Sequence, residues 1–496
     1  MGVSERTADP FVWLTGRDGV LADVVTFLGF IVLLSVVMLT QVPDAPGFVT
    51  GWRISIAFVL FGLLAATISM FCHSETDAWL QYLVLVGGAI LLIEWLFRYR
   101  APEFSVGNPG IVELFAFYLL LFIILLVYPD VRTFSRAQWL FISCIGVVVG
   151  LFFYHTLPTG PETLAPTWPL WASVVAGINL LLIPRFVPEY VFLWAIALVA
   201  TVTAIVGTAG VIIGEYSWWF FEVTRHPQEF PMTATEPAGW YGYTSIFNNV
   251  NVFGLVTFAG LVASVFLLHR AWRRRTILIG TLAGALVISN GAGLLVSSSD
   301  AAWLAAGVSL GFYSLYVVLG RRAILPGFVT LVTAAVVSVL AVYHNILPID
   351  PGSRFVRWRS GVGAIRAAPS LLGHGHVSTA EFTAPYLEGM TPDEPHNSYL
   401  DITIRTGFLG LLAYVVLFLG GLLYGALRYR TINVAMLAFA FGWAVHHLFE
   451  SYTMIQLTIP AVLSSLALGY LLFGDTHAPA DVLPAEDSIS QPRPEK

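Results

Sequence analysis

The sequence predicts an all-α, polytopic membrane helix bundle with about 12–14 spans and a large extracytoplasmic loop carrying short helices. Three observations predict it. Charged residues make up 11% and hydrophobic residues 57% of the 496 positions, whereas a soluble domain carries about 25% charged residues. The mean hydropathy is +0.79. Apolar runs of roughly 20 residues, the length that crosses a bilayer, recur along the chain between turns rich in Pro, Gly and Arg.

Reading on that length, the spans fall at 20–40, 53–71, 79–97, 110–128, 138–156, 169–183, 191–213, 248–268, 276–296, 301–319, 323–343, 403–427, 432–450 and 457–473. The first run has no small-residue cleavage site after it and is expected to stay as a helix. Cys72 and Cys144 lie in or beside apolar runs. They give neither a disulfide framework nor a metal spacing, and read as small buried side chains. The net charge of −6 is confined to loops and tail. No nucleic-acid partner and no cofactor is expected.

Arginine and lysine accumulate in cytoplasmic loops. Arg270, Arg273, Arg274 and Arg275 share one short loop, Arg321 and Arg322 a second, Arg428 and Arg430 a third. Successive spans bring all three to one side, which is therefore read as cytoplasmic. Arg132, Arg136, Arg185 and both termini follow, while Arg98 and Arg100 break the rule. This gives four parts: a first stretch of bundle at 1–343, an extracytoplasmic loop at 344–398, C-terminal membrane helices at 399–474 and a cytoplasmic tail at 475–496. The expected location is the cytoplasmic membrane of the cell.

The outer loop holds Arg354, Arg357, Arg359, Arg366, His374, His376 and His396. Arginine presents a planar, permanently charged fork that suits phosphate. Two readings are open for these arginines: an anionic ligand such as a lipid diphosphate, or lipid headgroups and loop ion pairs. Gly361 to Ala368 is expected to form a short helix on the membrane, ended by Pro369, with glycines turning the chain after it. His396 supplies an imidazole whose unperturbed pKa, about 6.5, suits proton transfer near neutrality. Asn397 either orients it, binds substrate or caps the following helix.

The segment His396-Asn397-x-x-Leu400, with Gly407 and Leu409-Gly410 beyond it, resembles the signature of the O-antigen ligase and O-antigen polymerase superfamily. Arg354-x-x-x-Trp358 and Pro369-x-x-Gly373-x-Gly375 resemble that family's outer loop. Asn249-Val250-Asn251-x-Phe253-Gly254 resembles its Asn-Pro-Asn-x-x-Gly helix start. Ser299-Asp300-Ala301-Ala302-Trp303-Leu304 resembles its Ser-Arg-Gly-Ala-x-Leu segment. The ordered set covers roughly residues 240 to 450.

The resemblance implies a membrane glycosyltransferase of the GT-C kind. Such enzymes pass a glycan from a polyprenyl diphosphate to an acceptor hydroxyl on the outer face, with inversion and without a metal. The acceptor would be a glycan, a lipid or a glycoprotein. Carried over, His396 is the general base or positions the acceptor, and Arg354, with Arg366, holds the diphosphate. Arg357, Arg405, Asn249, Asn251, Asn397 and Glu450 complete the expected substrate-binding set. Membrane lipids are the other expected partner.

Two departures from the family pattern reverse a charge. Asp300 stands at an arginine position, and Arg405 at a commonly acidic one. The expectation is an ion pair of exchanged polarity between them, or else Arg405 as an extra phosphate ligand. Other signals have two readings each. His446, His447 and Glu450 have the i, i+3 and i+4 spacings that let them pair or line a cavity; with His374 and His376 they are also candidate metal ligands. Glu94 and Glu113, inside apolar runs, are helix contacts or transport residues. The aromatics at 216–219 and 240–243 form an interfacial belt or stack sugars. Arg225 and His226 belong to a plain outer loop or to the site. The competing functional class is a secondary transporter or flippase of lipid-linked sugars, followed by a scaffold for polysaccharide assembly. The transporter class explains the helices and the buried acids equally well, and the His-Asn segment and the outer arginines poorly.

Overall fold

A computed structural model describes residues 134–156, 176–186, 189–218, 221–227, 241–247, 249–343, 353–375, 378–387, 393–452 and 458–474, with scattered positions between 27 and 38. The spans expected at 53–71, 79–97 and 110–128, the tail, and Glu94, Glu113 and His376 lie outside the described residues.

The described chain is helical almost throughout, as the composition requires. Helix α1 runs Arg136–Thr156. A π-helical turn, Ala176–Leu182, leads into the short α2, Ile183–Phe186. Then follow α3, Glu189–Ile213, α4, Val250–Arg273, α5, Ile277–Ser297, α6, Asp300–Leu319, and α7, Ile324–Tyr343. The loop helices are α8, Ser353–Ala367, and α9, Thr379–Thr383. The C-terminal group is α10, Ser398–Val415, α11, Gly421–Leu427, α12, Val434–His446, and α13, Ile459–Leu472. Six stretches among the described residues are long and apolar enough to cross a membrane: Arg136–His155, Glu189–Ile213, Val250–Arg273, Ile277–Ser297, Asp300–Leu319 and Ser398–Leu427. The protein is thus an all-α polytopic membrane bundle. The departure from purely helical structure is a pair of three-residue hairpins, β1 (Tyr216–Trp218) with β2 (Phe221–Val223) and β3 (Arg225–Pro227) with β4 (Tyr241–Tyr243).

Helix α4 is the centre. Its Phe253, Phe258 and Phe266 are buried, and Phe258 meets Phe439 and Trp443 of α12 edge-on. Lipid offers no hydrophobic drive between helices, so close approach rests on small residues and polar contacts. Both occur here. A methyl on Gly260 would collide with Ala200 of α3 and Asn290 of α5. Asn290, fully buried, donates through Nδ2 toward Thr201 Oγ1 (2.9 Å) and Leu286 O (3.0 Å).

The arginine-rich turns meet at one end of the bundle. Arg321 Nη1 donates to Tyr429 O (2.8 Å) and Ile432 O (3.1 Å), joining the second and third of these loops. Arg270 lies over the Tyr190 ring at 5.3 Å, and Asn433 donates to Glu189. These contacts give the turns a shared end.

At the other end, the outer loop is stitched into α10. That helix breaks at Gly407 (φ 69°, ψ −170°), which orphans carbonyls before the break and amides after it. The stretch Ser370–Gly375 satisfies both. His374 N donates to Ile404 O (2.9 Å) and Gly375 N to Arg405 O (3.0 Å), while Phe408 N donates to Ser370 O (3.2 Å) and Leu409 N to Leu371 O (3.0 Å). His155 at the end of α1 adds a contact to Leu372 O at 2.7 Å.

Candidate active site

The site is built where α8, the 393–397 segment and the turn after α12 converge. Helix α12 ends at His446, short of the span expected to reach 450, so Glu450 stands in a turn at the mouth of the bundle. Helix α8 starts at Ser353, well before the expected Gly361, and this extra length carries Arg354 and Arg357. These lie three residues apart and so share a face.

Five side chains form a row of alternating charge. Arg357 Nη2 lies 2.8 Å from Asp393 Oδ2. The same oxygen lies 3.3 Å from His396 Nε2. His396 Nδ1 lies 3.3 Å from Glu450 Oε2, and Glu450 Oε1 lies 3.4 Å from Arg354 Nη2. Arg354 Nη1 donates to Phe449 O, and its guanidinium sits over the Phe449 ring at 5.7 Å.

The electrostatics follow from this row. The Glu450 hydrogen bond holds the His396 imidazole above its ordinary value of 6.5, against burial, which pulls it down. Burial pushes the Glu450 carboxyl up, but the His396 hydrogen bond and the Arg354 charge together hold it below 4.5. The contact therefore favours the charged form of each partner.

His396 is held in a left-handed backbone conformation, φ 45°, which costs a non-glycine residue roughly 1–3 kcal/mol. Its neighbours over-determine it. Trp358 Nε1 donates to His396 O at 3.4 Å. Asn397 N donates to Ser451 Oγ (3.1 Å), and Ser398 N to His447 O (2.9 Å). Such strain at a charged cleft is a feature of functional sites.

Asn397 caps α10: its Oδ1 accepts from Tyr399 N (3.0 Å) and Leu400 N (3.1 Å), and its Nδ2 donates to Leu448 O (3.1 Å). The cap reading is realised, and the cap fixes the residue before it. Asn249 caps α4 through Asn251 N (2.7 Å), and Asn251 Oδ1 accepts from Ser299 Oγ (3.0 Å). This ties the start of α4 to the start of α6. Arg366 lies exposed in the last turn of α8, outside the row.

Arg405 was expected against Asp300. Its Nε instead bonds both oxygens of Asp401 (3.1 and 3.0 Å), one turn back in its own helix, and both side chains are buried. The physical reason is helical spacing: i and i+4 meet on one face whatever the neighbours do. Asp300 stands in the first turn of α6, where a negative charge suits the helix dipole.

His446 and His447 are buried beneath the row, with Nδ1 facing Tyr452 OH (2.8 Å) and Tyr414 OH (3.1 Å). His374 Nε2 lies 2.9 Å from Ala368 O within the loop. No group of three His, Cys, Asp or Glu among the described residues is arranged to hold a metal ion. Arg225 lies over the Tyr241 ring at 4.7 Å, on a surface hairpin.

Asp393 escaped the sequence reading. The signal was there in the Asp393-x-x-His396 spacing, but only the loop's path shows that this pair faces Arg357.

A helix bundle with a row of charged side chains around a strained histidine at one end defines a multi-pass membrane protein with a built polar site. Residues 285–415 match the family model described as O-Antigen ligase. That segment runs from α5 into α10 and contains Arg354, Arg357, Asp393 and His396. It supports the O-antigen ligase/polymerase superfamily and, in general terms, an O-antigen ligase-type membrane glycosyltransferase. No curated protein and no solved structure matches the chain.

Proposed function

We propose that the protein transfers a glycan from a polyprenyl-diphosphate donor to an acceptor hydroxyl at the outer membrane face, with inversion and without a metal. His396 is the base. The acceptor oxygen bonds to the anomeric carbon as the carbon–oxygen bond to phosphate breaks. The acceptor proton passes to His396 Nε2, and the diphosphate leaves with the electron pair. Glu450 fixes the ring through Nδ1 and stabilises the imidazolium that forms. Arg354 and Arg357 supply the positive charge that meets the developing charge on the leaving group. The 344–398 loop carries the site, and the arginine-rich turns with the 475–496 tail face the cytoplasm of a cell-membrane protein.

The observation that carries this reading is the alternating row Arg357–Asp393–His396–Glu450–Arg354. It brings a titratable imidazole and two guanidinium groups into one partly exposed cleft, which a transporter or scaffold does not require. The test is transfer in vitro by purified protein offered a polyprenyl-diphosphate-linked glycan and a panel of glycan, lipid and glycoprotein acceptors. His396→Asn is the variant of choice, because Asn tolerates positive φ while removing the imidazole. Transfer is expected to fall by about 100-fold or more in a folded protein. Unchanged transfer in both His396→Asn and Arg354→Ala would refute the assignment.

A further inference from the structure

We propose that Asp393 is a stand-in anion, occupying the seat on Arg357 Nη2 that a phosphate oxygen of a diphosphate takes when substrate binds, and covering His396 Nε2 until then. The inference rests on the functional reading above and deepens it. One carboxylate oxygen, Asp393 Oδ2, meets both cations, at 2.8 and 3.3 Å. The contact to Arg357 is the one an anionic oxygen of a phosphate would make with a guanidinium.

The two carboxylates of the row are not equivalent. Glu450 uses both oxygens, one on Arg354 and one on His396, and its side chain is 14% exposed. Asp393 is the most open member of the row, at 39%. Its other oxygen accepts, among the described residues, the amide of Glu394 at 2.8 Å. A Glu450 locked between two cations stays and orients the ring. An Asp393 held by one oxygen at the rim can give way.

Its position also blocks the chemistry. While Asp393 covers His396 Nε2, that nitrogen cannot receive a proton from an acceptor, and Arg357 is neutralised. Diphosphate binding at Arg357 displaces the carboxylate and uncovers Nε2 in the same step. Asp393 thus keeps Nε2 from stray hydroxyls until a donor arrives.

The test measures binding of inorganic pyrophosphate, orthophosphate and glycerol phosphate to the purified full-length protein in detergent, by calorimetry. Asp393→Asn keeps shape and removes charge, and Asp393→Ala removes the side chain. Both are expected to bind pyrophosphate about fivefold tighter than wild type, while Arg357→Ala binds it about tenfold weaker. A gain in affinity on losing a side chain is a result that a merely structural role does not give. Affinity unchanged or lowered in both Asp393 variants, with Arg357→Ala still weakened, overturns the proposal and leaves the arginine site standing. Affinity unchanged in all three variants overturns the proposal and the arginine assignment together. An equal gain for glycerol phosphate would make the seat one for lipid headgroups, and this too overturns the diphosphate assignment.

Discussion

Gly373 and Gly407 sit back to back, and neither has room for a methyl group. A Cβ on Gly373 would collide with the backbone of Arg405 and Gly407, and one on Gly407 would collide with the backbone of Leu371 and Gly373. Both residues have positive φ, 87° and 69°. This contact is what lets the outer loop replace the missing hydrogen bonds of α10.

Gly373→Ala and Gly407→Ala are each expected to destabilise the protein by roughly 2 kcal/mol or more, from backbone strain and overpacking. Because they break the same contact, the double variant should cost less than the sum. Thermal unfolding in detergent measures it. Full additivity would mean the two glycines act separately.

Arg405→Met is expected to cost about 3–5 kcal/mol, since it leaves Asp401 buried and unpaired. Adding Asp401→Asn should restore stability and transfer in large part. If the double variant folds yet stays inactive, Arg405 contacts substrate, and its structural reading is wrong.

Arg354→Lys should behave nearly as Arg354→Ala. The guanidinium serves Phe449 O and Glu450 Oε1 from separate nitrogens and lies over an aromatic ring. A point charge on a flexible stem cannot do all three. Comparing donor KM and kcat for the two variants checks this; near wild-type values for the lysine variant would argue against the fork.

The acid limb of the rate profile reports His396. Glu450 holds its imidazole above 6.5, so the neutral base is lost as pH falls through that raised value. Glu450→Gln removes the main cause, and the limb should move to lower pH as maximal activity drops. The same pair acts on stability. A raised histidine pKa contributes stability that is full below 6.5 and is lost as pH rises through the folded value. The depressed Glu450 carboxyl contributes stability that is full above 4.5 and is lost as pH falls through its folded value. Their joint contribution is therefore largest between about pH 4.5 and 6.5, which a pH series of unfolding temperatures in wild type and Glu450→Gln would reveal.

The sequence by itself determined the membrane bundle. Among the described residues, hydropathy marks long helices within a few residues, as with 191–213 against Glu189–Ile213 and 276–296 against Ile277–Ser297, because burial in lipid leaves an apolar run no local alternative. It also marked His396, Arg354, Arg357 and Glu450, since ionisable groups near a membrane are few and conspicuous. Only the tertiary structure decided how they are used. Asp393 looked like any loop acid until α8 brought Arg357 against it. Asn397 became a cap because the α10 start left two amides beside its oxygen. Arg405 found Asp401, one turn back in its own helix. Hydropathy is a property of each residue and adds up along the chain, whereas a charge takes its role from the partner that folding sets within about 4 Å, and that partner stands anywhere in the sequence.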